Sequence, residues 1–241
     1  MPATLMSCEA YHHHHHLLTT NYYEKSSPKA LPIIKSVVRA AVARERRMAA
    51  SLIRLHFHDC FVQGCDASVL LKDSESIISE QRARQNNNSA RGFEVIDIIK
   101  YICRREGLPR CGSHTIGNAR CTTFRRRIHD ETNIHPGFAK LRQHRCPSSQ
   151  LIGNSTLAPL DAATPYSFDN HYFKNLLQRK GLLHSDQVLF NGGLTDHIVK
   201  RYSENEAAFF EDFAAAMVKM GDIKLLTGSA GEIRKLCSVV N

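Results

Sequence analysis

The chain predicts an all-α fold, and three observations carry that expectation. Apolar residues recur at helical spacing through Pro28-Lys-Ala-Leu-Pro-Ile-Ile-Lys-Ser-Val-Val-Arg-Ala-Ala-Val42, through Ala49–Val62 and through Ala90–Ile102. Near the end, Ser203-Glu-Asn-Glu206 reads as a capping box, Phe210, Phe213, Ala214 and Met217 form an apolar stripe suited to core packing, and Gly221 supplies a stop. Alternating strand patterns are scarce, and there is no sustained repeat.

With 241 residues, 42% of them hydrophobic, the chain is long enough for one core or for two lobes sharing one. Its apolar stretches fall short of the roughly 18 residues of a membrane helix, so no membrane partner is expected. The formal charge of +9 raises a nucleic-acid reading, with Arg125-Arg126-Arg127 and Arg44-Glu45-Arg46-Arg47 as candidate patches. The second contains an acid and neither is interleaved with aromatics, so both are read as solvated helix faces and no nucleic-acid partner is expected. A basic balance also suits adhesion to acidic polysaccharide. Met1–Tyr11 lacks the charged and apolar regions of a signal peptide, and His12–His16 is a run of histidines; residues 1–20 are read as a disordered extension outside the fold.

The chemistry concentrates in Arg54-Leu-His-Phe-His-Asp-Cys60. On a helix over Ala49–Val62, Arg54 and His58 lie four apart on one face, a cation beside an imidazole, while Asp59 points elsewhere. The following Gly64-Cys65-Asp66-Ala67-Ser68 adds a second carboxylate and a hydroxyl. Asp59, Asp66 and Ser68, with carbonyls of the intervening turn, make a hard-oxygen set of the kind calcium prefers. Zinc is disfavoured, because no Cys-x-x-Cys pair exists to start a structural site. Asn87 and Asn154 head glycosylation sequons, which matter only in a secreted chain.

On these residues the chain resembles the plant secretory (class III) haem peroxidases. Arg54 to Ser68 is similar to their distal signature, Asn88-Ser-Ala-Arg-Gly-Phe-Glu-Val-Ile-Asp97 to the segment that follows it, and Ser113-His-Thr-Ile-Gly-Asn-Ala-Arg-Cys121 to their proximal signature. The resemblance covers roughly Asn21 to Asn241. It implies a two-lobed helical fold around haem b, with a distal lobe over 21–102, a shortened junction over 103–110 and a proximal lobe over 111–241.

Carried over residue by residue, the resemblance makes His114 the axial ligand of the haem iron and Asp196 the acceptor of its other ring proton. His58 becomes the general base toward hydrogen peroxide, and Arg54 the group that stabilises developing negative charge. Asn86 fixes the tautomer of His58, Glu80 ends that network and Phe57 walls the pocket. Two calcium ions are implied, one held by Asp59, Val62, Gly64, Asp66 and Ser68, the other by Thr115, Asp161, Thr164, Ser167 and Asp169. Asp169 also stands where an N-cap would precede Tyr172–Leu177. The implied disulfides are Cys60 with Cys65 and Cys121 with Cys146; the second closes a loop of about 25 residues, stabilising by roughly 3 to 4 kcal/mol.

The function implied is reduction of hydrogen peroxide with oxidation of small phenolic donors, by a monomer in the extracellular space, as in responses to oxidative stress. The chain departs from the pattern between Lys100 and the proximal signature, where Tyr101-Ile-Cys-Arg-Arg-Glu-Gly-Leu-Pro-Arg110 replaces several helices, and tryptophan is absent. Pro109 and Gly112 are poor residues for the interior of the helix that carries the axial histidine. The alternative reading is therefore a truncated remnant that binds calcium and does not hold haem productively.

Overall fold

The computed structural model describes residues 28–61, 64–75, 77–103, 115–149, 151–223, 231 and 234–241. These residues are helix-rich, as the apolar spacing requires. Three helices make the first half: α1 Ala30–Arg44, α2 Met48–Cys60 and α3 Phe93–Cys103, with single 3-10 turns at Ser68–Leu70 and Glu80–Arg82 between the last two. α1 packs on α2 and α3. Their contact is a cluster of Ala41, Met48, Val95 and Ile99, flanked by Ile34, Val38 and Leu52. Gly92 opens α3 at φ +96°, and a Cβ there would lie 2.9 Å from Leu52 Cδ2. Glycine alone combines that backbone conformation with so close an approach to α2.

The second half starts at β1 Asn118–Arg120, which runs antiparallel to β2 Leu157–Pro159, pairing Asn118 with Pro159. Then come α4 Cys121–Asp130 and α5 Pro136–Gln143, closed onto each other by the Cys121–Cys146 disulfide around Phe124, Ile128 and Phe138. α6 His171–Leu177, α7 His184–Val188, α8 Asp196–Glu204 and α9 Glu206–Gly221 complete the order. Tyr172, Phe173, Leu176, Val199 and Phe209 form their core. Gly117, at φ +133°, has its missing Cβ position 3.3 Å from Ala50 Cβ, which seats the start of β1 directly against α2.

The chain end returns to the first half. Lys72 N–H donates to Ser238 O, and Cys237 is buried with Leu55, Val69, Leu70 and Ile96. No helix among the described residues is long and apolar enough to cross a membrane.

Three local expectations are corrected. Ser203 does not cap α9: it lies inside α8, where its hydroxyl donates to Lys200 O, and Asn205 caps instead by accepting from Ala208 N–H. The buried stripe of α9 is Ala208, Phe209 and Met217, while Phe210 and Ala214 face outward, because the register is set by that cap. Arg127 is not on a solvated face: it is buried, donating to Gly181 O, Asn133 O and Glu131, so its guanidinium is satisfied without water. Arg126 is solvated, as expected.

Candidate active site and candidate cation loops

α2 presents Arg54 and His58 on one face, and the turn over residues 83–90 covers them. That turn closes on itself: Asn86 and Asn87 N–H both donate to Ala83 O, and Ser89 and Ala90 N–H donate to Asn86 O. Asn88 takes φ +53°, a left-handed conformation that asparagine tolerates better than most residues. The turn thereby points the Asn86 side chain at the imidazole, with His58 Nδ1 and Asn86 Oδ1 2.5 Å apart. The same amide is oriented by Asn86 Nδ2 donating to Glu80 O at 2.8 Å.

The tautomer follows. With its nitrogen bound to Glu80 O, Asn86 offers His58 an oxygen that only accepts, so the Nδ1 of His58 carries the proton and Nε2 keeps its lone pair. Arg54 Nε–H donates to that lone pair at 3.2 Å. Half-burial presses the imidazole below its ordinary pKa of 6.5; the Asn86 hydrogen bond opposes this and the Arg54 charge adds to it. At neutral pH His58 is therefore an uncharged base. Burial, then the charge of Arg120, also lowers the basicity of Arg54. Phe57 stacks on Phe61 and meets His58 edge-on, forming an aromatic flank.

The loop after α2 is clasped by the Cys60–Cys65 disulfide. Asp59 Oδ2 accepts from Ala67 N–H at 3.1 Å and Asp66 Oδ1 from Ser68 N–H at 2.9 Å, so both carboxylates share one turn with the Ser68 hydroxyl. That hydroxyl donates to Glu80 Oε1, joining the loop to the Asn86 and His58 chain. Gly64 is buried at φ +114° and its carbonyl accepts from Asp66 N–H. Val62 lies outside the described residues.

The second loop gathers around Asp161, which is fully buried. Its Oδ1 accepts from Ala163 N–H, Thr164 N–H and Asn175 Nδ2, and its Oδ2 from the Thr164 hydroxyl. The Thr164 hydroxyl is also 3.0 Å from Asp169 Oδ1, which accepts from His171 N–H at the start of α6. Asp169 is therefore not the N-cap expected: Asn170 holds that position, and Asp169, one residue earlier, accepts from the first helical N–H instead. Leu160 N–H, beside Asp161, donates to Gly117 O, two residues after Thr115. Thr115 Oγ1 is buried with no hydrogen-bond partner. Ser167 is exposed, its N–H donating to Thr164 O.

His114 lies outside the described residues. Asp196 begins α8 and accepts from the N–H groups of Asn191, Gly192 and Gly193. Three such contacts leave a carboxylate one further acceptor position.

Sequence reasoning missed the groups that hold these side chains. Ser89 and the Gln85 carbonyl grip Arg54, and Arg120 reaches from β1 to Asn88 O. Arg234 donates to the carbonyls of Asp66 and Ala67 from the chain end. Ser89 lies within the Asn88–Asp97 stretch that resembles the family segment; nothing local marks Arg234, because its contact spans most of the chain.

Comparison with known proteins gives a concordant result. The family model described as Peroxidase matches residues 34–107 and 108–205. The chain is 45% identical to Peroxidase 4 of Vitis vinifera, over 90% of each chain. It is 43% identical to Peroxidase P7 of Brassica rapa subsp. rapa over 90% of this chain and 97% of that one. With the lignin-forming anionic peroxidase of Nicotiana sylvestris the identity is 44%, over 90% and 89%. The first alignment runs over 288 positions, more than the 241 residues present, so the relative carries residues with no counterpart here. The family match breaks between Gly107 and Leu108, in the stretch where the sequence departs from the signature pattern. The chain belongs to the peroxidase family.

Proposed function

We propose that the chain is a haem-dependent peroxidase that reduces hydrogen peroxide to water while small phenolic donors each give up one electron and one proton. The observation that carries this reading is the neutral imidazole of His58, its Nδ1 proton held by Asn86 and its Nε2 lone pair directed at Arg54. A base near neutral pH, fixed in one tautomer beside a permanent cation, is what proton removal from hydrogen peroxide demands. His58 Nε2 takes the proton from the near oxygen of the peroxide and returns it to the far oxygen as water leaves. For that step the peroxide replaces Arg54 Nε–H as the partner of Nε2, and the guanidinium then bears on the developing charge.

The residues present fit haem on the distal side, where Arg54, His58 and the Phe57 flank supply cation, base and apolar edge. His114 would ligate the haem iron, with Asp196 as acceptor of its other ring proton through its remaining lone pair. When bound, haem supplies the electron transfer that cleaves the O–O bond and draws electrons from the donors.

Two calcium ions are proposed as structural partners. Thr115 Oγ1, buried without a hydrogen-bond partner, together with the paired carboxylates of Asp161 and Asp169, suits a hard cation, with Thr164 and Ser167 as further donors. Asp59, Asp66, Ser68 and the Val62 and Gly64 carbonyls form the other proposed set. A distal lobe over 21–102 and a proximal lobe over 111–241, a monomeric state, an extracellular site of action and adhesion to acidic polysaccharide complete the proposal.

The break at Gly107–Leu108 favours a second reading, in which the missing residues leave a remnant that does not hold haem productively. One titration separates the two. Haem is added to the purified chain in calcium and the absorption spectrum is followed, then hydrogen peroxide is added. A saturable Soret band of histidine-ligated ferric haem that shifts with peroxide is expected, and is lost or altered in His114→Ala. Absence of saturable binding would establish the remnant reading.

A further inference from the structure

We propose that Ser89 is a positioning residue for the peroxide reaction: its carbonyl and hydroxyl hold the Arg54 guanidinium beside His58, as Asn86 holds the imidazole. This rests on the reading of Arg54 as the charge-stabilising group.

Arginine carries five N–H donors in a rigid fork on a long, rotatable stem, so its placement has to come from acceptors. Four of those donors are directed here. Nη1 donates to Ser89 O at 2.8 Å, Nη2 to Gln85 O at 2.5 Å and to Ser89 Oγ at 3.0 Å, and Nε to His58 Nε2 at 3.2 Å. Ser89 thus contributes two of the four acceptors. Its hydroxyl hydrogen points back to Gln85 O at 2.7 Å, which turns a lone pair toward Nη2. Gln85 O then receives both Ser89 and Arg54, so the three groups form one closed set.

Asn86 and Ser89 are three residues apart in a single turn and serve the two reactive side chains of α2 separately. Asn86 sets which nitrogen of His58 is the base, and Ser89 sets where the cation stands. Arg120, donating to Asn88 O at 2.5 Å, ties that turn to the start of the second half of the fold. A guanidinium without the Ser89 hydroxyl keeps its charge and its bond to the residue 89 carbonyl, but loses one of the two acceptors of Nη2 and with it its registry with Nε2. For a group whose effect depends on geometry, loss of placement lowers rate without loss of folding.

Ser89 is also the hydroxyl residue of the Asn87-Asn88-Ser89 sequon, so the test uses full-length chain from a host that adds no N-glycans, with Asn87→Gln as control. Ser89→Ala and Ser89→Thr are compared in two ways. In the haem-free chain labelled with 15N-arginine, the Arg54 Nε–H resonance, assigned by its disappearance in Arg54→Lys, should exchange rapidly in Ser89→Ala and stay protected in Ser89→Thr and Asn87→Gln. In the haem-loaded chain, the second-order rate with peroxide should fall about tenfold in Ser89→Ala and return to within about twofold in Ser89→Thr, a part of the full effect of removing one charge-stabilising donor. An Arg54 signal and a rate both unchanged in Ser89→Ala would overturn the proposal, as would a Ser89→Thr variant as slow as Ser89→Ala. If the resonance behaves as expected but Arg54→Leu reacts as fast as the parent, the holding geometry stands and the role of Arg54, with that of Ser89 in the reaction, is overturned.

Discussion

The turn over residues 83–90 and the loop over residues 161–169 are both built from hydrogen bonds to short polar side chains, and they do opposite things. The first holds two half-buried side chains of α2, Arg54 and His58, from one side. The second turns inward around fully buried Asp161, whose Oδ1 takes three hydrogen bonds while its Oδ2 shares the Thr164 hydroxyl with Asp169. Polar atoms hydrogen-bonded in a buried setting rigidify a fold and tolerate little change. Half-buried ones whose bonds are set from one side stay partly open to solvent on the other. The difference teaches that the candidate active site and the most deeply buried polar network occupy separate regions, although the same residue types build both.

The sharpest way to break that separation is His58→Leu. It should slow reaction of the haem-loaded chain with hydrogen peroxide by about a thousandfold, the range for loss of a general base, in stopped-flow measurements. Thermal unfolding should move by no more than about 3 °C. A parent-like peroxide rate would remove His58 from the mechanism.

Asp161→Ala should do the reverse. It leaves the Ala163 and Thr164 N–H groups and Asn175 Nδ2 without their buried acceptor, for a loss of about 3 kcal/mol in urea unfolding. The peroxide rate per folded, haem-loaded molecule should stay within about threefold of the parent. A large rate loss at full folding would show that the two regions are coupled.

Chelation of calcium tests the same loop without mutation. With calcium at about a hundred times its dissociation constant, removal should cost about 2.7 kcal/mol per site, read as a lower unfolding temperature. The effect should shrink in Asp161→Ala, leaving only the share of the Asp59–Ser68 loop. Unfolding that ignores chelator would count against both cation sites.

The smallest effect is on pH dependence. The pKa of His58 is lowered in the folded chain, chiefly by burial, so the neutral base persists below 6.5. The peroxide rate should be level from neutral pH down through 6.5 and decline only at lower pH. The linked stability is fully present above 6.5 and is lost as pH falls toward the folded pKa, because the unfolded chain then binds the proton more readily. A rate profile that bends at or above 6.5 would contradict the direction of the shift.

Much of the site was legible because its spacing is local. Arg54 and His58 meet because four residues make about one helical turn, and the helix was readable from its apolar period. Asp59, Asp66 and Ser68 meet because a five-residue disulfide loop cannot carry them far apart. The errors were of another kind. Ser203 carries the signature of a cap, yet α8 runs through it and Asn205 caps α9. Arg127 sits in a run of three arginines that reads as solvated, yet one lies inside, where Gly181 O and Asn133 O await a donor.

The amino-acid sequence by itself determined the helices, the pairing of cation and imidazole on one face of α2, the oxygen-rich turns and the family resemblance. Each depends on residues close in the chain, where backbone geometry alone dictates what meets what. Only the tertiary structure decided which groups restrain them: Ser89 on Arg54, Asn175 on Asp161, and Arg234 on the carbonyls of Asp66 and Ala67 across 168 and 167 residues. Those contacts come from packing whole elements together, and a donor 167 residues away from its acceptor leaves no periodic trace in the sequence.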